Sequence, residues 1–351
     1  MMTDNDAVFD RALGCVLGQA IGDSFGFSYE LRPLSLSPSM DALPAITGGR
    51  GMSAGQVTDD TEMAMALARS LRGRASFDQR DVARSYARWF YTQPEDIGAT
   101  TYQAFRRMPE SEQEMMSLSS EVVRRKMLMA SDTFNRSSLS NGCLMRVSPL
   151  GIAGSKWPVS TLRAAAKADC RLTHPNPIAQ DAAATYAQAI SILINTGDQK
   201  RAYEESILAC ETNRIRRLLE IDHDDQPIPI VVGSEDEKDS KCIKGDDEMM
   251  GYLGVALKWA FYELRHNGDD FVRSLINVVR RGGDTDTNGC ITGALVGASV
   301  GASRMPRQWI DCVRKAQPRS PHYHWSIMDD AEEVVSDLLR HCKEPNVDEF
   351  L

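Results

Sequence analysis

Residues 14–26 read Gly14-Cys-Val-Leu-Gly-Gln-Ala-Ile-Gly-Asp-Ser-Phe-Gly26, with glycine at every fourth position. Residues 289–301 repeat this spacing in Gly289-Cys-Ile-Thr-Gly-Ala-Leu-Val-Gly-Ala-Ser-Val-Gly301. Glycine inside a helix costs about 1 kcal/mol relative to alanine, so a row of four needs a compensating contact. Glycines four residues apart lie on one ridge of a helix and let a second helix approach closely. The two stretches therefore predict two tightly packed core helices, which bring residues 22–30 within reach of residues 284–287.

The rest of the sequence is also helical in its apolar spacing. Met63, Leu67 and Leu71, for example, recur at intervals of four residues, as they would on one face of a helix. Two-residue alternation is scarce, and the best strand candidate, residues 227–232, contains two prolines that favour an edge strand or a loop. No shift in composition marks a domain boundary. We therefore predict an all-α fold of about a dozen helices, in a single compact multi-helix domain that spans residues 1–351.

The chain is acidic overall. Its 351 residues include 40 Lys+Arg and 49 Asp+Glu, which gives a formal net charge of −9. This balance argues against non-specific binding to nucleic acid, which needs a basic surface. Residues 222–248 alone hold ten acids and three lysines. This acidic loop is either a solvated surface segment or a lip that attracts a basic substrate.

The sequence lacks the patterns of membrane and secreted proteins. Its charge-free stretch at residues 287–303 is only 17 residues long and rich in Gly, Ala, Ser and Thr, whereas a membrane span needs about 20 mostly apolar residues. The N-terminus has neither a basic segment nor an apolar one, so we expect no secretory signal. The eight cysteines are scattered without a CxxC pair, which favours reduced thiols and a cytoplasmic location.

Two acidic motifs each open a predicted helix. The first is Thr58-Asp-Asp-Thr-Glu62, and the second is Gly282-Gly-Asp-Thr-Asp-Thr-Asn288. Helix capping is one explanation, since Asp59 followed by Glu62 fits a capping box. Capping does not explain why the same arrangement occurs twice. The two glycines at the start of the second motif permit positive φ angles and a sharp loop.

If the two motifs meet, four carboxylates converge: Asp59, Asp60, Asp284 and Asp286. Carboxylates this close raise one another's pKa, and a cation would relieve their repulsion. The candidate ligands are all oxygens, which favours Mg²⁺, Mn²⁺ or Ca²⁺ over Zn²⁺. Four acids and two hydroxyls suit two metal ions that share carboxylates.

Several short segments, in this order, resemble the ADP-ribosylglycohydrolase family, which includes dinitrogenase-reductase-activating enzymes and ADP-ribosylarginine and ADP-ribosylserine hydrolases. The resemblance covers about residues 10–303, and it implies an all-α domain with a binuclear Mg²⁺ or Mn²⁺ centre. The matching segments are Gly18-Gln-Ala-Ile-Gly-Asp23 to Glu30, Thr58-Asp-Asp-Thr61, Asp96-Ile-Gly98, Asn141-Gly-Cys-Leu-Met-Arg146, Thr173-His-Pro175 and Gly282-Gly-Asp-Thr-Asp-Thr287.

The resemblance also implies roles for individual acids. Glu30 matches an acidic gate or catalytic residue, although it is otherwise an ordinary surface glutamate. Asp96 matches an acid that lies near the substrate guanidinium in arginine-type members, although it could also cap a helix. The residues that match the family's metal ligands are Thr58, Asp59, Asp60, Asp284, Asp286 and Thr287.

The implied substrate-binding residues lie mainly in the segment 141–146. Asn141 and Gly142 match the loop that holds the diphosphate, and Met145 and Arg146 belong to the same motif or simply pack in the core. His174 matches a histidine pair incompletely, because Asn176 stands where many relatives have the second histidine. Tyr252 is placed where an aromatic ring could stack on adenine, with core packing as the alternative.

Together these features predict a dimetal-dependent hydrolase that releases ADP-ribose from a modified protein side chain, with arginine favoured by Asp96. The alternatives left open are hydrolysis of serine-linked or other ADP-ribose derivatives, an antitoxin that reverses or blocks an ADP-ribosylating toxin, and a non-catalytic crystallin-like member. The intact set of acids argues against the last. We expect an ADP-ribosylated protein as partner, with neither nucleic acid nor membrane.

Overall fold

Helices form the fold, as predicted. The computed structural model describes residues 3–32, 36–72, 76–220, 230–232, 241–243, 249–317 and 328–347. Its α-helices are α1 Asp4–Phe27, α2 Asp59–Leu71, α3 Gln79–Tyr91, α4 Ala99–Ala104, α5 Glu112–Ser117, α6 Ser120–Phe134, α7 Ser148–Ala153, α8 Val159–Arg171, α9 Pro177–Thr196, α10 Gln199–Leu208, α11 Asn213–Leu219, α12 Leu253–Asn267, α13 Phe271–Val279, α14 Thr285–Val300, α15 Arg307–Lys315 and α16 Ala331–His341.

The described residues form sixteen α-helices where the sequence predicts about a dozen. The additional ones include α4 and α5, which have six residues each. Six residues make fewer than two helical turns, so the apolar spacing that identifies longer helices cannot develop in them. The all-α single-domain prediction is confirmed.

The two glycine-rich helices, α1 and α14, pack against each other in opposite directions. A Cβ atom at Gly18 would overlap the backbone of Gly293, and one at Gly22 would overlap the carbonyl oxygen of Gly289. Both helices are buried over most of their length. The predicted close pair in the core is therefore confirmed, and the contact is made by backbone atoms.

A two-stranded antiparallel ribbon accompanies the helices. Strand β1 Ile230–Val232 pairs with β2 Lys241–Ile243. Of the candidate strand at residues 227–232, residues 230–232 form β1, and residues 227–229 lie outside the described residues. The remainder of the acidic loop 222–248 lies outside the described residues, so its predicted role as a lip stays a prediction.

One hydrophobic core connects helices from the whole chain. It includes Leu17 of α1, Leu295 of α14, Trp309 of α15 and Leu338 of α16. None of the helices that the structure describes is both long enough and apolar enough to cross a bilayer. Seven cysteines of the described residues are free thiols: Cys15, Cys143, Cys170, Cys210, Cys290, Cys312 and Cys342.

Candidate active site

Helix α2 begins at the first acidic motif with Thr58 as its N-cap. Thr58 has extended backbone angles, and its hydroxyl accepts from the amide of Asp60 at 3.4 Å. The alternative of a capping box at Asp59 and Glu62 is wrong, because the N-cap is Thr58. Glu62 instead accepts a 2.8 Å hydrogen bond from Nε1 of Trp89, because its side chain lies on the buried face of α2. The carboxylate of Asp59 is thereby left for another role.

Helix α14 begins at the second acidic motif. Gly282 and Gly283 have φ angles of 78° and 71°, which glycine adopts without strain, so the predicted sharp loop is present. Asp284 occupies the N-cap position but makes no capping bond. Its Oδ2 accepts a 2.8 Å hydrogen bond from Nδ2 of Asn141. Capping therefore does not explain this acid.

The starts of α2 and α14 meet at one cavity of about 330 Å³. Ten of the residues predicted for the site line it: Glu30, Asp59, Asp60, Asp96, Asn141, Gly142, Met145, Asp284, Asp286 and Thr287. Seven further residues that were not predicted from the sequence also line it: Gly98, Ala99, Thr100, Thr101, Ser140, Met250 and Gly251. All seven lie within five residues of a predicted residue in sequence, and the hydroxyls near Asp96 and Asn141 were a signal that could have identified Thr100, Thr101 and Ser140.

The donor atoms in this cavity suit a hard cation. Carboxylate oxygens of Glu30, Asp284 and Asp286 all lie within 4.8 Å of one another. Oδ1 of Asp60 is buried and has no hydrogen-bond partner, which is costly unless something else satisfies it. Oxygen donors of this kind are those that Mg²⁺, Mn²⁺ and Ca²⁺ prefer. The acidic cluster can therefore hold metal.

The electrostatics of the cluster agree with that conclusion. Burial, together with neighbouring acids, raises the pKa of Asp59, Asp60 and Asp286 well above the usual range. After burial, the largest contributions come from Asp96 for Asp59, from Asp59 for Asp60, and from Asp284 for Asp286. Negative charge gathered in this way favours either protonation or a bound cation.

Glu30 lies at the edge of the cluster. Burial raises its pKa, although the neighbouring Arg50 opposes the rise. The guanidinium of Arg50 pairs with the carboxylate of Glu30 and lies 4.2 Å from the ring centroid of Phe27. The ion pair with Arg50 therefore fixes the carboxylate of Glu30, which faces the cavity and is not a solvated surface group.

Asp96 faces the same cavity from the loop before α4. The neighbouring Gly98 donates its amide hydrogen to Oδ2 of Asp59 at 3.4 Å, which ties this loop to the first acidic motif. Gly98, and not Asp96, is the N-cap residue of α4, so the capping alternative for Asp96 is wrong. Among the residues that the structure describes, Asp96 forms no ion pair.

Asn141 and Gly142 begin a short 3₁₀ turn, Asn141–Cys143, at the cavity wall. Arg146 does not line the cavity. It is fully buried behind this turn, where it donates to the carbonyl oxygen of Gly142 at 3.2 Å and pairs with Asp169 at 3.2 Å. Its hydrogen bond fixes the turn from the side away from the cavity.

His174 also lies behind the turn. Its Nε2 is 2.7 Å from Oγ of Ser140, and its Nδ1 is 2.7 Å from Oγ1 of Thr173. Burial, followed by the charge of Arg146, lowers the pKa of His174 to about 3. The imidazole is therefore neutral, and it contacts Ser140, which lines the cavity.

Two more predicted residues lie just outside the cavity. The hydroxyl of Thr58 is 3.0 Å from Oδ1 of Asp23 and 2.9 Å from Oδ2 of Asp60. Tyr252 is buried, and its hydroxyl accepts from Nη2 of Arg214 at 3.0 Å. The backbone of Tyr252 pairs with that of Ser140, so Tyr252 shapes the wall while the preceding Gly251 lines it.

The chain is similar to known proteins over most of its length. The ADP-ribosylglycohydrolase family model matches residues 4–347. The chain belongs to the ADP-ribosylglycohydrolase family. The match includes α15 and α16, which lie beyond the segments that carry the sequence resemblance. Membership supports ADP-ribosyl hydrolase activity.

Curated members of the family align over most of their length. The chain is 28% identical to the ADP-ribosyl-dinitrogen reductase glycohydrolase of Rhodospirillum rubrum, over 87% of this chain and 90% of that protein. It is 25% identical to an ADP-ribosylarginine hydrolase of Pseudomonas putida, over 89% and 76% of the two chains. It is also 25% identical to an ADP-ribosylhydrolase of Homo sapiens, over 85% and 88%.

The family fold is present in solved structures as well. A chain described as an ADP-ribosylglycohydrolase-related protein complex superposes with a TM-score of 0.70 at 25% sequence identity. The alignment covers 96% of this chain and 99% of that chain. The all-α architecture around α1 and α14 is thus the family architecture.

Proposed function

We propose that this protein is a dimetal-dependent hydrolase that releases ADP-ribose from modified arginine side chains of proteins. The observation that carries the proposal is the sharing of one cavity by the acidic cluster, by Asp96 and by the turn at Asn141. The volume of about 330 Å³ falls at the lower end of the range for small-molecule sites. This volume suits the ribose and diphosphate of ADP-ribose, with the modified protein side chain leading out of the cavity.

The residues that would hold two Mg²⁺ or Mn²⁺ ions are Thr58, Asp59, Asp60, Asp284, Asp286 and Thr287. The unpartnered Oδ1 of Asp60 and the raised pKa values of three of these acids support this assignment. When bound, such ions supply charge stabilisation and a water of lowered pKa.

Hydrolysis would break the bond between the ribose C1″ and a guanidino nitrogen. The oxygen of water adds to C1″, and the nitrogen leaves with a proton. Glu30 is suited to orienting the water or to exchanging a proton with it, because burial raises its pKa and its carboxylate lines the cavity. Asp96 is suited to binding the positively charged guanidinium, because it faces the cavity without an ion-pair partner among the described residues.

The turn at Asn141 and Gly142 would hold the diphosphate through the amide of Gly142 and the hydroxyl of Ser140, because the amide of Asn141 already donates to the carbonyl oxygen of Gly251. Arg146 and His174 would hold this turn in place from behind, and Met145 would pack against the sugar. Because Tyr252 is buried beside Arg214, we assign it to shaping the cavity wall. The free cysteines of the described residues support a cytoplasmic location.

The preference for arginine has two supports. Asp96 provides a carboxylate for a cationic group, whereas a serine-linked substrate offers no positive charge there. In addition, the Pseudomonas putida relative is named an ADP-ribosylarginine hydrolase.

The test is release of ADP-ribose from arginine-modified and serine-modified protein, each with Mg²⁺ and with a chelator. We expect release from modified arginine that the chelator abolishes. Faster release from modified serine would overturn the preference for arginine, and no release from either substrate would overturn the proposed hydrolysis of ADP-ribosylated proteins.

A further inference from the structure

Asp23 is a buried carboxylate that the proposed reaction does not use. It lies on α1 between Gly22 and Gly26 and is 0% exposed. Its oxygens accept hydrogen bonds from both the amide and the hydroxyl of two residues in the first acidic motif. The donors are the amide and Oγ1 of Thr58, at 3.1 and 3.0 Å, and the amide and Oγ1 of Thr61, at 3.1 and 2.6 Å.

We propose that Asp23 is a positioning residue for the metal site: it fixes the first turn of α2 and takes the hydroxyl hydrogen of Thr58, so that the oxygens of Thr58 and Asp60 stay available to a cation. This inference rests on the proposed function, because it assumes that Thr58 and Asp60 bind metal.

The hydroxyl of Thr58 carries one hydrogen but has two carboxylates as neighbours. Oγ1 of Thr58 lies 3.0 Å from Asp23 and 2.9 Å from Asp60. A hydroxyl donates once and retains two acceptor lone pairs. If the Thr58 hydroxyl donates its hydrogen to Asp60, Oδ2 of Asp60 accepts that hydrogen bond and is less available to a cation. If the hydrogen goes to Asp23, the Thr58 and Asp60 oxygens are both acceptors.

The amide bonds fix the same turn of α2. The first amides of a helix have no partner within the helix, and Asp23 satisfies those of Thr58 and Thr61 from a different helix. Asp59 and Asp60, whose carboxylates are proposed metal ligands, are the two residues between Thr58 and Thr61. Helix α1 packs closely against α14 at Gly22. The hydrogen bonds of Asp23 therefore fix the start of α2 relative to both α1 and α14.

The experiment measures Mn²⁺ affinity by calorimetry on folded protein, for wild type, Asp23→Asn and a matched control. Asparagine keeps the shape of Asp23 but replaces one acceptor oxygen by a donor, which cannot receive the threonine hydrogens. The control is Asp10→Asn, on the same helix, where the carboxylate accepts from the amide and Oγ of Ser303 at 2.9 and 2.8 Å, far along α1 from the motif.

We expect Asp23→Asn to bind Mn²⁺ about tenfold or more weakly than wild type, as is typical when a partner of a metal ligand is lost. Asp10→Asn should bind within about twofold of wild type, because no ligand depends on it. Equal affinity of wild type and Asp23→Asn would overturn the proposal, even if the variant unfolds at a lower temperature, since that result is the mark of a merely structural role.

If Asp23→Asn does not fold, Thr61→Val carries the test. It keeps the side-chain shape and removes only the 2.6 Å bond to Asp23. Affinity weaker by about threefold or more supports the positioning role, and unchanged affinity overturns it. Absence of Mn²⁺ binding by wild type itself would be a different result, because it overturns the metal-dependent function and the positioning role together.

Discussion

The hydroxyl of Thr285 donates a hydrogen bond of 2.8 Å to the carbonyl oxygen of Gly26. This bond joins the first residue of α14 to the end of α1, where the glycine contact between the two helices terminates. Glu30 follows shortly after Gly26, and Asp284 and Asp286 flank Thr285. The packing of the core helices therefore sets the distance between the acids of the cavity.

Replacement of Gly18 by alanine tests that dependence. The new Cβ would overlap the backbone carbonyl of Gly293, and backbone cannot move aside as a flexible side chain can. We expect a loss of about 1–3 kcal/mol or more in the free energy of unfolding, measured with urea.

The control is Gly49→Ala, because a Cβ there meets its nearest neighbour, Arg32, at an ordinary 3.6 Å. Its stability should stay within about 0.5 kcal/mol of wild type. Equal stability of the two variants would contradict a close helix contact at Gly18.

Metal removal should destabilise the protein. In the absence of a cation, the buried Asp59, Asp60 and Asp286 must be protonated or repel one another, as their raised pKa values indicate. A ligand that binds only the folded state raises its stability. We expect a chelator to lower the melting temperature and millimolar Mg²⁺ or Mn²⁺ to restore it. A melting temperature that is unchanged across this range would exclude an oxygen-ligated metal site.

Glu62 should make the chelated protein less stable as pH rises. Burial raises its pKa to about 8 in the folded state, from an ordinary 4.5. The folded protein therefore holds a proton that the unfolded chain has released, so the contribution of Glu62 to stability is complete below about pH 4.5 and is lost progressively up to about pH 8.

The variant Glu62→Gln removes this titration and keeps an oxygen for the 2.8 Å bond from Trp89. Between pH 5 and 7 the unfolding free energy of the variant should fall less steeply with pH than that of wild type. The two slopes should differ by about 1.4 kcal/mol per pH unit, which corresponds to one proton. Urea unfolding in chelator at several pH values measures both slopes. Parallel slopes would show that Glu62 is ionised in both states.

Asp96→Ala tests the substrate. If Asp96 binds the guanidinium, its loss should reduce cleavage of arginine-linked ADP-ribose by about tenfold or more, while the protein still binds Mn²⁺ because Asp96 is not a proposed ligand. The matched control is Asp132→Ala, which removes a carboxylate that pairs with Arg171 on another part of the surface. Equal activity of wild type and Asp96→Ala would remove the main reason for preferring arginine.

The sequence predicts much of this architecture because its signals are local and repeated. The glycine spacing identifies α1 and α14, and the two acidic motifs identify the ends of α2 and α14 that meet. The sequence does not predict which side of a turn a residue faces. Arg146 and Tyr252 belong to motifs at the cavity and yet point away from it, because partners distant in sequence, Asp169 and Arg214, bind them there.

The capping box at Asp59 fails for a related reason. Asp59 and Glu62 have the correct spacing, but Thr58 is a competent N-cap one residue earlier. Trp89, on α3, offers Glu62 a buried donor. Tertiary contacts of this kind are invisible to a rule that considers four consecutive residues.

A catalytic role for the acidic cluster is tested by the rate of ADP-ribose release by Asp284→Asn at saturating Mg²⁺, measured together with the unfolding free energy of this variant in chelator. Asp284 makes no capping bond, and asparagine can still accept the 2.8 Å bond from Asn141. We therefore predict turnover lower by about a thousandfold or more, with stability in chelator within about 1 kcal/mol of wild type. Turnover equal to that of wild type in a folded Asp284→Asn protein would contradict a catalytic role for the acidic cluster.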